Sequence, residues 1–194
     1  MKSEQTLIFD ADDTLWENNV VFERMIEDYL DWVAHPTLDR AQVRAVLNEI
    51  ELANTVAHGY GSRVFLRTLG DCFGRLNERP ASPTEEAQIR ELAAALAEHR
   101  VELLPDVAET LDQLGPGIRC SCSPRVTSQH DLDPARTWMI GNSPKSDILP
   151  ARRAGLNAVF IPNDNTWALE HDVLDPGDAG VLHLRQFAEL LVHY

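Results

Sequence analysis

Residues 7–16 read LIFDADDTLW, and this stretch constrains the fold more than any other in the chain. Leu7-Ile8-Phe9 is a short apolar run, and QTLIF (5–9) reads as a buried strand that ends in acidic turn residues. Three carboxylates, Asp10, Asp12 and Asp13, follow within four positions and repel one another. In an open parallel sheet, ligands bind outside the carboxyl ends of the strands, which is where these acids fall. Residues i and i+2 of an extended stretch share a side, so Asp10 and Asp12 pair. Such a pair is costly unless a proton or a cation neutralises it.

Mg2+ suits the pair, being a hard ion that takes oxygen ligands, commonly one or two carboxylates together with substrate phosphate. Asp10 can then attack phosphorus to give an aspartyl-phosphate. Asp12 can protonate the leaving oxygen and later activate water. Thr14 offers a hydroxyl either to fix the loop or to meet a phosphoryl oxygen. A plainer reading stands beside this one, since Asp12-Asp13-Thr14 before Leu15 can simply cap a helix and favour its dipole.

A second acidic turn bears on that choice. GNSPKSD (141–147) follows the apolar strand TWMI and opens a helix. It brings Asp147, the carbonyl of Asn142, the hydroxyls of Ser143 and Ser146, and Lys145 to another strand end. Capping by Ser143 or Ser146 explains this turn locally, but not its coincidence with FDADDT. A parallel sheet can set the two turns side by side.

Between the two acidic turns the pattern is first helical. VVFERMIEDYLDWV (20–33) carries an apolar stripe. Thr37 or Asp39 can cap a helix through RAQVRAVLNEIELANTVA. A third runs from Tyr60 to Leu76, broken by Gly70 and Gly74. Ser82, Pro83 and Glu85 start a fourth that runs to Arg100. Beyond it, strands and helices alternate: a short helix from near Pro105 to Gly115-Pro116-Gly117, then IRCSC, TWMIGNS, a helix closed by Gly155, NAVFIP, AGVLHL and a C-terminal helix. The fold class is α/β, a Rossmann-like parallel sheet with an inserted helical cap; the core is 1–16 and 101–194, and the cap 17–100.

Length and charge narrow the partners. A chain of 194 residues can bury one substantial core and a modest accessory domain. Its net charge of −14 argues against nucleic acid or an anionic membrane, both of which need clustered Lys and Arg. It does not argue against a small anionic substrate, because a bound metal reverses the local sign. Three cysteines are too few for a disulfide framework, and no segment has the length of a membrane span or of a signal peptide's apolar stretch, so a cytoplasmic location is expected.

The two acidic turns, in this order, resemble the haloacid dehalogenase (HAD) superfamily. Asp10-Ala11-Asp12-Asp13-Thr14 is similar to its DxDxT motif, and Gly141 to Asp147 to its fourth motif; the helical block resembles a C1-type cap, which closes over the substrate. The resemblance implies a Mg2+-dependent phosphatase acting on a small phosphomonoester. Asp10 is its nucleophile and Asp12 its acid/base; the metal lies among Asp10, Asp12 (through its main-chain carbonyl), Asn142 and Asp147. The acid at Asp12 favours the phosphatase over the dehalogenase branch.

The resemblance also implies a Ser or Thr after the second strand, for which Ser121 or Ser123 stand, and a later Lys. The only lysines are Lys2 and Lys145, so Lys145 in the fourth motif, or Arg125, stands in for the usual lysine at the phosphate. Residues 115–136 number 22, enough for one parallel crossover of about a dozen residues and not two. The core is therefore expected to lack part of the segment between the second and fourth motifs, to turn over slowly or not at all, and, with an exposed strand edge, to self-associate. A HAD-fold binding protein without activity is the alternative.

Overall fold

The computed structural model describes residues 5–98, 102–114, 118–121 and 132–194, and for 95–98 and 118–121 the backbone alone. The chain divides into two compact units, Met1–Asn19 with Val101–Tyr194, and Val20–Arg100.

The first unit is built on a parallel sheet of β1 (Gln5–Phe9), β2 (Ile118–Ser121), β3 (Thr137–Gly141), β4 (Asn157–Phe160) and β5 (Val181–His183), in the order β2-β1-β3-β4-β5. Strand β1 is central, and Leu7, Ile8 and Phe9 are all buried. This is the signature of a parallel strand covered on both faces, and it explains the unbroken apolar run. Leu7 and Phe9 join Ile140, Val159, Val107, Phe187 and Leu190 on one face. Ile8 joins Ile148, Ala151, Leu156 and Ala158 on the other. Each such side chain contributes about 1.5–3 kcal/mol on burial.

Helices α5 (Val107–Leu114), α6 (Leu149–Arg153) and α7 (Leu190–His193) complete the unit. From β1 the chain order runs to β2 on one side and to β3 on the other. That is a topological switch point, the place where open α/β sheets form their ligand crevice. Pairing of Phe9 with Ile140 brings the residues after β1 beside those after β3.

The second unit holds α1 (Asn19–Val33), α2 (Arg40–His58), α3 (Ser62–Asn77) and α4 (Pro83–Glu98). Its core takes Met25, Ile26, Tyr29 and Leu30 from α1, Val43 and Leu47 from α2, Phe65, Leu69, Cys72 and Phe73 from α3, and Ile89 from α4. Asp39 is the cap of α2, in a reciprocal box with Gln42.

Helix α3 corrects one expectation. It runs unbroken through Gly70 and Gly74 and stops at Glu78, whose φ of 52° is left-handed. Each interior glycine costs about 1 kcal/mol relative to alanine. Phe65, Leu69, Cys72 and Phe73, buried at helical spacing, outweigh that cost. The expected stop at 115–117 and the remainder of the expected helix to Arg100 lie outside the described residues. No helix among the described residues is long and apolar enough to cross a membrane.

Candidate active site

The site grows from the end of β1. The Asp10 amide donates to the Ile140 carbonyl (2.8 Å), carrying the ladder one residue past the strand. The chain then wraps around the Ala11 carbonyl, which accepts from the amides of Leu15 (2.9 Å) and Trp16 (3.3 Å). Asp13 takes a φ of 60° in this turn, a conformation that Asp tolerates better than most residues.

The three crowded carboxylates separate into three environments. Asp13 accepts from the main-chain amides of Asn18 (2.9 Å) and Asn19 (3.0 Å), at the start of α1. No helix begins at Leu15, as the capping reading required; of the three acids only Asp13 meets amides at a helix start, and from six residues before Asn19. Asp12 is exposed and accepts from Trp16 Nε1 at 2.9 Å. Asp10 turns inward and accepts from Thr14 Oγ1 at 3.2 Å.

Thr14 is the tie between the two acidic turns. Its hydroxyl also reaches Asn142 Oδ1 (3.0 Å) and accepts from the Asn142 amide (3.1 Å). Of its two possible roles, fixing the loop is the one the geometry displays. Asn142 places its other amide atom, Nδ2, on Thr166 Oγ1 at 2.8 Å. Both ends of that amide are thus engaged inside the protein, in a link between loops.

The second turn explains its own composition. Ser143 caps a π-helical turn over Pro144–Ile148: its Oγ accepts from the Ser146 amide (2.9 Å), and its carbonyl from the Asp147 and Ile148 amides (both 3.1 Å). Wide turns of this kind gather at functional sites. The Ser143 amide donates to Asp147 Oδ2 at 2.9 Å, so the carboxylate folds back over the end of β3. Gly141 makes room for it: a Cβ there would lie 2.2 Å from Asp147 Oδ2.

Asp10 and Asp147 carry the unusual electrostatics. Burial is the main cause that pushes Asp147 up to about 8; the charge of Asp10 adds to it, the Ser143 amide opposes it, and Glu170 adds a little more. Burial likewise raises Asp10 to about 6, against the hydrogen bonds from the Ala11 amide and Thr14 and with the charges of Asp12 and Asp13. None of the ion pairs among the described residues involves either acid.

Two mutually repelling carboxylates, one buried and one half-buried, with no basic partner among the described residues, fit a divalent cation, whose binding would relieve both the desolvation and the repulsion. Among the described residues no three His, Cys, Asp or Glu side chains converge as a ready ligand cluster. The exposed Asp12 carboxylate, held by Trp16, accounts for this in part. What the donor set offers is two carboxylates with neighbouring main-chain carbonyls.

The remaining expected residues are scattered. Lys145 is exposed and donates to the Leu169 carbonyl at 2.9 Å, so its ammonium is engaged away from the acids. Ser121 pairs in register with Ile8, two positions before Asp10, at the end of β2. Ser123 and Arg125 lie outside the described residues.

Residues 163–171, whose polar start after the VFIP strand marks them as able to line a cleft, add partners outside the two motifs. Asn163 Nδ2 donates to the Asp13 carbonyl (2.9 Å), and Asn19 Nδ2 to the Asn165 carbonyl (2.8 Å). Glu170 accepts from Ser143 Oγ at 2.7 Å and also from Ser146 Oγ. The polar run Asn163-Asp164-Asn165-Thr166 after an apolar strand was the available signal; Glu170 had none.

Comparison with known proteins agrees with this architecture. Residues 120–186 match the family model described as HAD-hydrolase-like. No curated protein matches the chain. A haloacid dehalogenase-like family hydrolase from Xanthomonas campestris superposes with a TM-score of 0.75 at 20% identity, over 100% of this chain and 95% of that one. A HAD-hydrolase from Bacillus subtilis, bound to magnesium, gives 0.61 at 15% identity, over 99% of each chain. A protein from Haemophilus somnus described as a predicted phosphoglycolate phosphatase gives 0.55 at 17%, over 100% of this chain and 98% of the other.

The fold is the one these HAD-family hydrolases share. On it, this chain sets the turn after β1 and the turn after β3 side by side on adjacent strands, joined by Thr14 and Asn142.

Proposed function

We propose that this chain is a Mg2+-dependent phosphatase that hydrolyses a small phosphomonoester through an aspartyl-phosphate. The observation that carries the reading is the pair Asp10, half-buried, and Asp147, buried, on adjacent strand ends without a basic partner among the described residues, with a third acid, Asp12, exposed two residues after the first. Asp10, Asp147 and the main-chain carbonyl of Asp12 would hold the ion. It would supply positive charge that keeps both carboxylates ionised and offsets the charge of the phosphoryl group.

A carboxylate oxygen of Asp10 attacks phosphorus, and the bond from phosphorus to the ester oxygen breaks. Asp12 gives its proton to that leaving oxygen. Asp12, now ionised, takes a proton from water as the water attacks phosphorus. The bond from phosphorus to Asp10 then breaks, releasing phosphate and restoring both acids. The Trp16 indole orients Asp12 for this exchange by holding one of its oxygens. An acid in this place favours a phosphate ester over a halide as substrate, because a halide departs without needing a proton.

The helical unit serves as a cap in this reading. Turnover is slow, because Lys145 rests on a main-chain carbonyl and not beside Asp10. The test is hydrolysis of p-nitrophenyl phosphate with Mg2+ and with EDTA, beside 2-chloropropionate. Mg2+-dependent release of p-nitrophenol and no chloride release are expected. Chloride release independent of Mg2+ would overturn the reading. Mg2+ binding without hydrolysis of any phosphomonoester would make the chain a HAD-fold binding protein.

A further inference from the structure

Ser143 stands between Asp147 and a residue far along the chain. Its amide donates to Asp147 Oδ2 (2.9 Å). Its hydroxyl accepts from the Ser146 amide (2.9 Å), the bond that caps the π-helical turn, and directs its single proton to Glu170, at Oε2 (2.7 Å) with the Glu170 carbonyl farther off (3.3 Å). Ser146 Oγ donates to the same Glu170 oxygen. A serine hydroxyl has one proton and two lone pairs. With Glu170 taking the proton, the oxygen's lone pairs are left to accept from the Ser146 amide, as the turn requires.

Neighbouring bonds anchor Glu170 to the same turn. Lys145 Nζ holds the Leu169 carbonyl at 2.9 Å, and Asn142 Nδ2 holds Thr166 Oγ1 at 2.8 Å. The segment 166–170 therefore grips the turn at Asn142, Ser143, Lys145 and Ser146, four of the five residues between Gly141 and Asp147. The grip stops short of Asp147 itself, whose bond comes from the turn's own backbone.

We propose that Glu170 is a positioning residue for the cation site: acting through the hydroxyls of Ser143 and Ser146, it sets the turn that aims the Asp147 carboxylate. The inference rests on the metal reading above. Outer partners that orient a metal ligand typically account for 10–100-fold in affinity. Glu170 contributes through geometry, so a neutral acceptor of the same shape should serve nearly as well as the carboxylate.

The test is calorimetric titration of the metal-free full-length chain with Mg2+, with thermal melts of the same metal-free samples. The proteins are wild type, Glu170→Gln and Glu170→Ala. Wild type is expected to bind; E170Q to bind within about threefold of it; and E170A to bind about 10–100-fold more weakly, at a melting temperature close to that of E170Q. If E170A does not fold, Ser143→Ala takes its place: it removes the donor to Glu170 while keeping the amide that holds Asp147, and the same weakening is expected. Wild-type affinity in E170A, or in S143A where that is the variant used, would overturn the inference while leaving the metal reading intact. Weakening in E170Q equal to that in E170A would also overturn it, by showing that charge and not placement matters. No binding by wild type would instead overturn the metal reading on which it rests.

Discussion

Thr14 and Asn142, 128 residues apart in the chain, meet through the Thr14 hydroxyl: it accepts from the Asn142 amide at 3.1 Å and shares its one proton between Asn142 Oδ1 (3.0 Å) and Asp10 Oδ2 (3.2 Å). Both residues are buried. Through this hydroxyl the turn that carries Asp10 and the turn that carries Asp147 become one structure.

Replacing Thr14 with Val keeps the shape and removes the hydroxyl. It leaves the buried Asn142 amide without this acceptor, a loss worth about 1–3 kcal/mol. Denaturant unfolding should show that loss for T14V and a smaller one for Thr14→Ser, with phosphatase activity reduced in the same order.

Gly141→Ala tests the fit of the second turn over the end of β3. The new Cβ would lie 2.2 Å from Asp147 Oδ2 and 2.7 Å from Asp147 Cβ, so the turn itself must shift and not the carboxylate alone. G141A should melt below wild type without metal, and its folded fraction should bind Mg2+ at least about tenfold more weakly by calorimetry. Unchanged affinity would show that Asp147 does not hold the ion in the pose described.

The acids at the site give the metal-free protein a pH signature. Both Asp10 and Asp147 bind a proton more tightly in the folded chain than an ordinary aspartate, whose value is 3.8: Asp10 is pushed up to about 6 and Asp147 to about 8. Folded-state values raised in this way make the folded chain hold more protons than the unfolded one across that window. Their stabilising contribution is complete below the unfolded value and is lost as pH rises through about 6 and then about 8. Melting temperature without metal should therefore fall from about pH 4 to about pH 8, and excess Mg2+ should restore most at the alkaline end, where the carboxylates are free of protons. Asp147→Asn should flatten the metal-free slope above about pH 6.

Asp13 is assigned to structure and not to chemistry. Its carboxylate accepts from the amides of Asn18 and Asn19. Asp13→Ala should cost about 0.5–2 kcal/mol in unfolding free energy, as loss of a helix cap does. The folded fraction should keep its Mg2+ affinity, which calorimetry would check.

Much of this was legible in the sequence, for a local reason. The strand QTLIF, the acids after it, the cap at Asp39 and the capping serine of GNSPKSD are set by residues within a few positions of one another. Acids at strand ends also have few structural uses, so Asp10 and Asp147 stand out. The divergence of Asp12 and Asp13 was less legible, since it depends on Trp16, Asn18 and Asn19 arriving at particular atoms. Glu170 could not be read at all: its partners lie 24 and 27 residues away, and only the sheet brings them together. Gly70 and Gly74 misled, because a local preference against helix lost to the burial of Phe65, Leu69, Cys72 and Phe73.

The measurement that bears most directly on the central claim is the rate of p-nitrophenyl phosphate hydrolysis, with saturating Mg2+, by wild type and by Asp10→Asn purified in parallel. Asn keeps the size of Asp10 and can still accept from Thr14, but it has no carboxylate to attack phosphorus. The account predicts a measurable wild-type rate and a D10N rate at the level of the buffer. Equal rates for the two proteins would contradict it.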